Sequence, residues 1–262
     1  MVLDERWYHD LKSVKVQRQA TPPQVQFMRF LKQISQKHNF RIIYEIDDVI
    51  FAEDIPDYNK FKTAFTDPTI RNGALEAMQI ADEITVTCPF MKQYYEGKTG
   101  HKNITVIPNY PPNWWMGDHY DRRDVKWNYE KKCLGKNPKP RVLYPGSGAH
   151  FDVENRVNQR DDFEHVRDVV AATVDDFQWV FVGCYPRPLK HLIDSGKIEF
   201  HHWVPLYDYP RFIKSLNCNF FVAPLQDNNF NKSKSDLKFI EGCCYGIPTI
   251  CQDLCTYEDA IQ

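Results

Sequence analysis

Several signals that would fix a protein's class at once are missing from this chain of 262 residues. It has eight cysteines, but no two form a C-x-x-C pair and no Cys/His spacing matches a zinc site. No apolar run approaches the roughly 20 residues needed to cross a bilayer, so no membrane span is expected. No secretory leader stands at Met1, and reduced thiols in a cytoplasm are the simplest expectation. Charge of one sign is also lacking: the net charge is −2, which gives no strong electrostatic case for nucleic acid. The balance is uneven, about +3 over residues 1–140 and about −5 over 141–262, so a local basic groove stays open. There is no internal repeat and no low-complexity tract.

What the chain does have is alternation. Residues 14–18 alternate as a short strand, and Thr21-Pro22-Pro23 opens a helix with Thr21 as N-cap and the prolines in its first turn. Val25, Met28, Leu31 and Ile34, with Phe27, give that helix an apolar face. Residues 40–46 form an apolar run that predicts a strand buried on both sides and ending in Asp47-Asp48. A loop over 49–69, a helix over 70–81, a strand over 83–87, a helix from Pro89 and a strand over 103–107 follow. Residues 108–140, with Pro111, Pro112, Trp114, Trp115, Pro138 and Pro140, break the pattern and read as a linker. From Arg141 the alternation resumes, with strands at 141–144, 178–182, 198–201, 218–223 and 249–251 and helices between them. This predicts an α/β chain of two Rossmann-like parallel sheets. The expected divisions are a domain over 1–110, a linker over 111–140 and a domain over 141–262, with the first domain short and the chain ending inside a helix.

In such sheets ligands bind beyond the carboxyl ends of the strands. Gly146-Ser-Gly-Ala-His150 follows the first strand of the second half: glycines let the backbone approach an anion, and Ser147 and His150 supply donors. It lacks the Gly-Lys-Ser/Thr ending of a Walker loop, and a plain strand-to-helix turn explains it equally well. Near the C-terminal end, residues 231–251 read as a helix broken by Gly246 and Pro248. Leu237, Ile240 and Cys244 form its buried stripe, while Lys234, Lys238 and Glu241 recur at helical spacing on another face. Ser233 and Ser235 add hydroxyls near its start, where free N–H groups suit a phosphate. A solvated surface helix is the competing reading. In the first half, Glu45-Ile-Asp-Asp48 places Glu45 and Asp47 on one side and Ile46 and Asp48 on the other if the strand persists. The aspartates suit a base, a hydroxyl acceptor, a divalent metal or a plain cap on the next turn.

Taken in order, these pieces resemble the GT-B-fold glycosyltransferases, in particular the retaining group with an E-x7-E helix in its second domain. The resemblance rests on Tyr-Glu-Ile-Asp-Asp at 44–48, Ala81-Asp-Glu-Ile-Thr-Val-Thr87, Val106-Ile-Pro-Asn109, Tyr144-Pro-Gly-Ser147 with His150, Trp203-Val-Pro-Leu206, Val222-Ala-Pro224, and Lys234-Ser-Asp-Leu-Lys-Phe-Ile-Glu241 followed by Gly246-Ile-Pro248. It implies transfer of a sugar, with retention, from a nucleotide-diphosphate sugar to an acceptor hydroxyl. No cofactor is required by that family beyond the donor, a UDP-sugar by preference, and the aspartate pair leaves a divalent metal open. By resemblance Glu241 holds the donor ribose, Gly146, Ser147 and Gly148 meet the diphosphate, and Trp203–Leu206 lie by the base. Lys234 and Lys238 would neutralise phosphate charge.

Three departures qualify this. Ser233 stands where the first glutamate of the pair belongs, Asp47-Asp48 stand where many relatives have a histidine, and no glycine-rich loop precedes residue 14. The last of these raises the expectation of a partner chain or oligomer completing the first domain. The acceptor is expected to be a glycan or a hydroxymethylated base of phage DNA. The basic, aromatic linker residues Arg122, Arg123, Lys126, Trp127, Lys131 and Lys132 permit the second, and a bacterial or phage-infected cytoplasm fits both. A non-catalytic remnant that binds a nucleotide or partner, and a sugar-nucleotide epimerase, are the alternatives.

Overall fold

The structure is a computed structural model, and it describes residues 8–116, 139–152 and 160–261. Contacts between Cα atoms group the chain into two compact units that are discontinuous in sequence. The first takes residues 1–56, 61–108 and 228–235, and the second takes 57–60, 109–227 and 236–262. The six linker residues from Arg122 to Lys132 singled out above lie outside the described residues.

In the first unit, β1 (Ser13–Gln17), α1 (Pro22–His38), β2 (Arg41–Glu45), α2 (Pro68–Ile80), β3 (Glu83–Val86), α3 (Pro89–Thr99) and β4 (Ile104–Val106) alternate. All four strands are parallel, in the order β1-β2-β3-β4. Thr21 caps α1 through a reciprocal box with Gln24, and Asn39 ends it in the left-handed region at φ 57°. Met28 and Leu31 of α1 pack on Ile42 and Tyr44 of β2 and on Ala74 and Met78 of α2. Strand β2 was expected to be sealed on both faces, but it alternates. Ile42 and Tyr44 are buried, Ile43 and Glu45 are half-buried and Arg41 is exposed, so its sealed face is the one under the helices. Phe27, placed on the apolar face of α1, is exposed instead at 38%.

In the second unit, α4 (Asn113–Met116) precedes β5 (Arg141–Gly146), α5 (Glu164–Thr173), β6 (Gln178–Gly183), α6 (Lys190–Asp194), β7 (Glu199–His201), α7 (Tyr209–Ser215) and β8 (Phe220–Ala223). Helix α8 (Asn229–Lys232) returns to the first unit, and α9 (Leu237–Tyr245), β9 (Thr249–Cys251) and α10 (Cys255–Ile261) complete the second. Its five parallel strands run β7-β6-β5-β8-β9. One face buries Leu143, Val180, Val182 and Phe221 against α7, α9 and Trp115, and the other buries Val142, Tyr144, Phe181 and Val222 against Phe151, Phe163 and Val170. Alternate residues of the same strands feed the two cores, as the strand period of two requires. Trp115 is therefore a core anchor of the second unit. Among the described residues, no helix is long and apolar enough to cross a membrane.

The strand order locates the site. From β5 the chain moves outward through β6 and β7, then crosses back to β8 and β9 on the other side. The carboxyl ends of β5 and β8 thus flank a switch point, where loops part and leave a crevice.

Candidate functional site

Gly146 ends β5 at that switch point. A Cβ there would stand 2.3 Å from the Tyr144 hydroxyl, so only glycine lets the chain turn over the phenol ring. That hydroxyl is buried and, among the described residues, has no hydrogen-bond partner. Burial pushes its pKa well up, so it stays neutral. Lys238 lies over the Tyr144 ring, 5.1 Å from its centroid, and donates to the Pro145 carbonyl at 2.9 Å. Ser147 accepts from the Ala149 N–H at 3.3 Å, a bond within the turn. Gly148 is buried under Lys60, whose ammonium lies 3.1 Å from the point where a Cβ would stand.

His150 closes the turn. Its Nδ1 is 2.7 Å from Asp162 Oδ2. Asp162 also accepts the Tyr58 hydroxyl at 2.8 Å and the Gln226 N–H at 2.9 Å, both at Oδ1. Burial works to raise the Asp162 pKa, but the bond and charge of His150, the Gln226 amide and Tyr58 outweigh it and hold it below the usual carboxylate value. An ionised Asp162 makes Nδ1 the protonated nitrogen and sets the ring's tautomer and orientation. This carboxylate joins the loop after β5, the loop after β8 and the 57–60 segment at one point. No local pattern in the sequence marks it, because its partners lie 12, 64 and 104 residues away.

Glu241 sits on α9 with 9% of its surface exposed, and accepts the Tyr209 hydroxyl at 3.4 Å. Burial raises its pKa, only partly opposed by Lys238 and by Tyr209. Tyr209 packs on Trp203, with ring centroids 6.0 Å apart. Trp203 lies against Gly183 at the end of β6, where φ is +91° and a Cβ would meet the indole at 2.3 Å. A half-exposed indole, a buried carboxylate and a glycine turn thus line the carboxyl edge of the second sheet.

Other expected members of this group are placed elsewhere. The helix begins at Leu237, not before Lys234, because α8 ends at Lys232 and Asp236 provides the N-cap position. Lys234, Lys238 and Glu241 are therefore not one stripe. Lys234 belongs to the first unit, with its ammonium 4.4 Å from the centroid of the Phe230 ring. Ser233 is fully buried there and its hydroxyl donates to the Phe230 carbonyl at 2.6 Å, a bond at the end of α8. Ser235 is half-buried in the turn that follows. Helix α8 is fixed in the first unit by Phe230 among Val49 and Ile55 and by Asn229, which donates to Asp54 at 3.3 Å.

The aspartate pair was expected to diverge across β2. The strand stops at Glu45, and both carboxylates turn to Arg18, at 2.7 Å for Asp47 and 3.2 Å for Asp48. Arg18 reaches them from a left-handed backbone at φ 47°. Burial raises the Asp48 pKa and the Asp47 charge adds to this, while Lys234 and Arg18 oppose it. Among the described residues, no three His, Cys, Asp or Glu side chains come together as a metal set.

No protein-family model matches the chain, and no curated protein matches it in sequence. Solved structures do match. Alr3699/HepE of Anabaena, in complex with UDP-glucose, superposes over 98% of this chain at a TM-score of 0.54 and 10% identity. The chain spans 64% of that protein's length. UGT89C1 of Arabidopsis thaliana, complexed with UDP, overlaps 84% of this chain and 49% of its own length at a TM-score of 0.40 and 8% identity. At such identities the first likeness bears on the fold alone: this chain has the two-unit, Rossmann-like α/β architecture of the GT-B fold.

Proposed function

We propose that the chain is a glycosyltransferase whose second unit binds a nucleoside-diphosphate sugar, a UDP-sugar by preference, and passes the sugar to an acceptor hydroxyl. The observation that carries this is Glu241. A carboxylate this buried, with one long hydrogen bond among the described residues, from Tyr209, is costly to keep unless a ligand supplies donors. A ribose diol supplies two. Trp203 offers a flat face for the base, and the Gly146–Gly148 turn offers backbone approach to the diphosphate. The likeness to a UDP-glucose-bound protein supports the same reading.

In the reaction, the acceptor oxygen bonds to the anomeric carbon as the bond from that carbon to the phosphate oxygen breaks. The electron pair leaves with the nucleoside diphosphate, and the acceptor proton is released. The leaving diphosphate needs donors and positive charge, which the turn's backbone N–H groups and, when its Nε2 carries a proton, His150 would provide. His150, held by Asp162, presents Nε2 in a fixed direction. Retention at the anomeric carbon belongs to the proposal, as does a role for Asp47 or Asp48 in orienting the acceptor hydroxyl. Incubation with a panel of nucleotide-sugars, with and without glycan acceptors, tests this. Nucleoside diphosphate release that requires acceptor supports transfer. Sugar interconversion without acceptor, or no turnover with any donor, refutes it.

A further inference from the structure

We infer that Arg18 is a positioning residue for the acceptor: it turns Asp47 and Asp48 so that each offers one oxygen to a pair of neighbouring hydroxyls, which makes the acceptor a glycan. This deepens the transferase reading above and rests on it. The three residues follow β1 and β2 at the carboxyl edge of the first sheet, and all belong to the first unit. Arg18 Nε donates to Asp47 Oδ1 at 2.8 Å, and its Nη2 lies 2.7 Å from the same oxygen and 3.2 Å from Asp48 Oδ2. One planar guanidinium thus grips two adjacent carboxylates, a geometry its fork of donors suits and a point-like ammonium does not. Among the described residues, Asp47 Oδ2 and Asp48 Oδ1 make no hydrogen bond, and both side chains reach solvent. Two acceptor oxygens side by side match two donors side by side. A sugar carries hydroxyls on adjacent carbons, whereas a hydroxymethylated base carries one.

The backbone on both sides is fixed. Among the described residues, the non-glycines with positive φ are Asn39, Asn217 and Arg18, the last at 47°. Asparagine enters that region readily, but an arginine there is strained. The Arg18 N–H holds the turn by donating to the Glu45 carbonyl at 3.1 Å. Across from it, the Ile46 N–H donates to the Thr85 carbonyl at 3.0 Å, and the fully buried Tyr95 hydroxyl donates to the Asp48 carbonyl at 2.7 Å. With both stems held, the guanidinium decides how the two carboxylates rotate. Lys234 brings a second positive charge toward Asp48 within the same unit. Arg18 and Lys234 against Asp47 and Asp48 leave no excess cation for a phosphate backbone, which favours a neutral polyol over DNA.

The test compares the wild-type chain with Arg18→Gly and Arg18→Lys, using whichever glycan supports nucleoside diphosphate release and circular dichroism to check each fold. Glycine adopts the positive φ without strain, so Arg18→Gly should stay folded and hold UDP affinity within about 2-fold. Its KM for the glycan should rise about 10-fold or more, the loss expected when hydrogen bonds to charged groups are misaligned. Arg18→Lys should show the same direction, because one ammonium cannot reproduce the fork. Methylguanidinium at millimolar concentration should restore Arg18→Gly several-fold and leave Arg18→Lys as it is. The glycan lacking the neighbouring hydroxyl should bind more weakly than its parent to wild type and equally to Arg18→Gly. An unchanged glycan KM in Arg18→Gly, or the same deoxy penalty in both proteins, overturns the inference and leaves transfer standing. Joint loss of UDP and glycan affinity also overturns it, since a damaged fold would then be the cause, and so does wild-type turnover with hydroxymethylated DNA alone. If wild type releases no nucleoside diphosphate with any donor and acceptor, the transferase reading itself fails and this inference with it.

Discussion

Glu241→Gln separates the two costs that a binding carboxylate carries. The side chain is 9% exposed, and among the described residues its hydrogen bond is the Tyr209 hydroxyl at 3.4 Å, near the limit of a real bond. The charged form therefore loses hydration with little return, which is why its pKa is raised. Glutamine keeps the shape, removes the charge and still accepts from Tyr209. At neutral pH the variant should be more stable by about 1–2 kcal/mol. In a chain of this size that is a rise of roughly 2–4 °C per kcal/mol in the melting of the second unit. The pH dependence has a definite sign. The folded pKa lies above the unfolded one, so the wild-type stability is fully present below the ordinary glutamate value and is lost as pH rises through the raised one. The advantage of glutamine should accordingly shrink as pH is lowered from 7 to about 4.5. Binding should move the other way: without a charged acceptor for the ribose diol, UDP affinity should fall by about 10–100-fold. Thermal scans across pH and UDP titration read both effects. A glutamine variant that is less stable and binds UDP unchanged would refute the reasoning and make Glu241 a structural partner of Tyr209.

Asp162→Asn should be the most damaging change near the turn, costing roughly 3 kcal/mol in urea unfolding, because His150, Tyr58 and the Gln226 amide all lose a charged acceptor. Since its folded pKa is depressed, the wild-type contribution is present above the unfolded value and lost as pH falls through the folded one, so the gap between the two proteins should close in acid. Tyr144→Phe removes a buried hydroxyl that has no partner among the described residues, and urea unfolding should find it neutral or up to about 1 kcal/mol more stable. Gly183→Ala forces a side chain into a φ of +91° and against the Trp203 indole, and should cost about 1–3 kcal/mol and shift tryptophan fluorescence.

The fold was legible because its signal is local. Apolar runs bounded by Gly and Pro marked the strands, and Thr21-Pro22-Pro23 marked the start of α1. Burial was less legible. The run at 40–46 looked sealed on both sides, but a strand's own sequence does not say whether a helix covers each face. The aspartate pair shows the same limit, since divergence across a strand holds only while the strand lasts and β2 stops two residues before Asp47. Lys234 and Lys238 show how spacing misleads: four residues apart means one helix face only if no break lies between them.

The sequence by itself determined that the chain alternates strands and helices into two parallel sheets, and it pointed to Gly146, Ser147, Gly148 and His150 after a strand and to Glu241 within a helix. Those are properties of short segments, set by periodicity and backbone freedom. Tertiary structure alone decided which charges meet. It paired His150 with Asp162, brought Tyr58 and Lys60 to the glycine turn, sent Ser233 and Lys234 into the other unit and turned both aspartates toward Arg18. The physical reason is distance along the chain. An electrostatic contact depends on separation in space, and between residues far apart in sequence only the path of the folded backbone sets that separation.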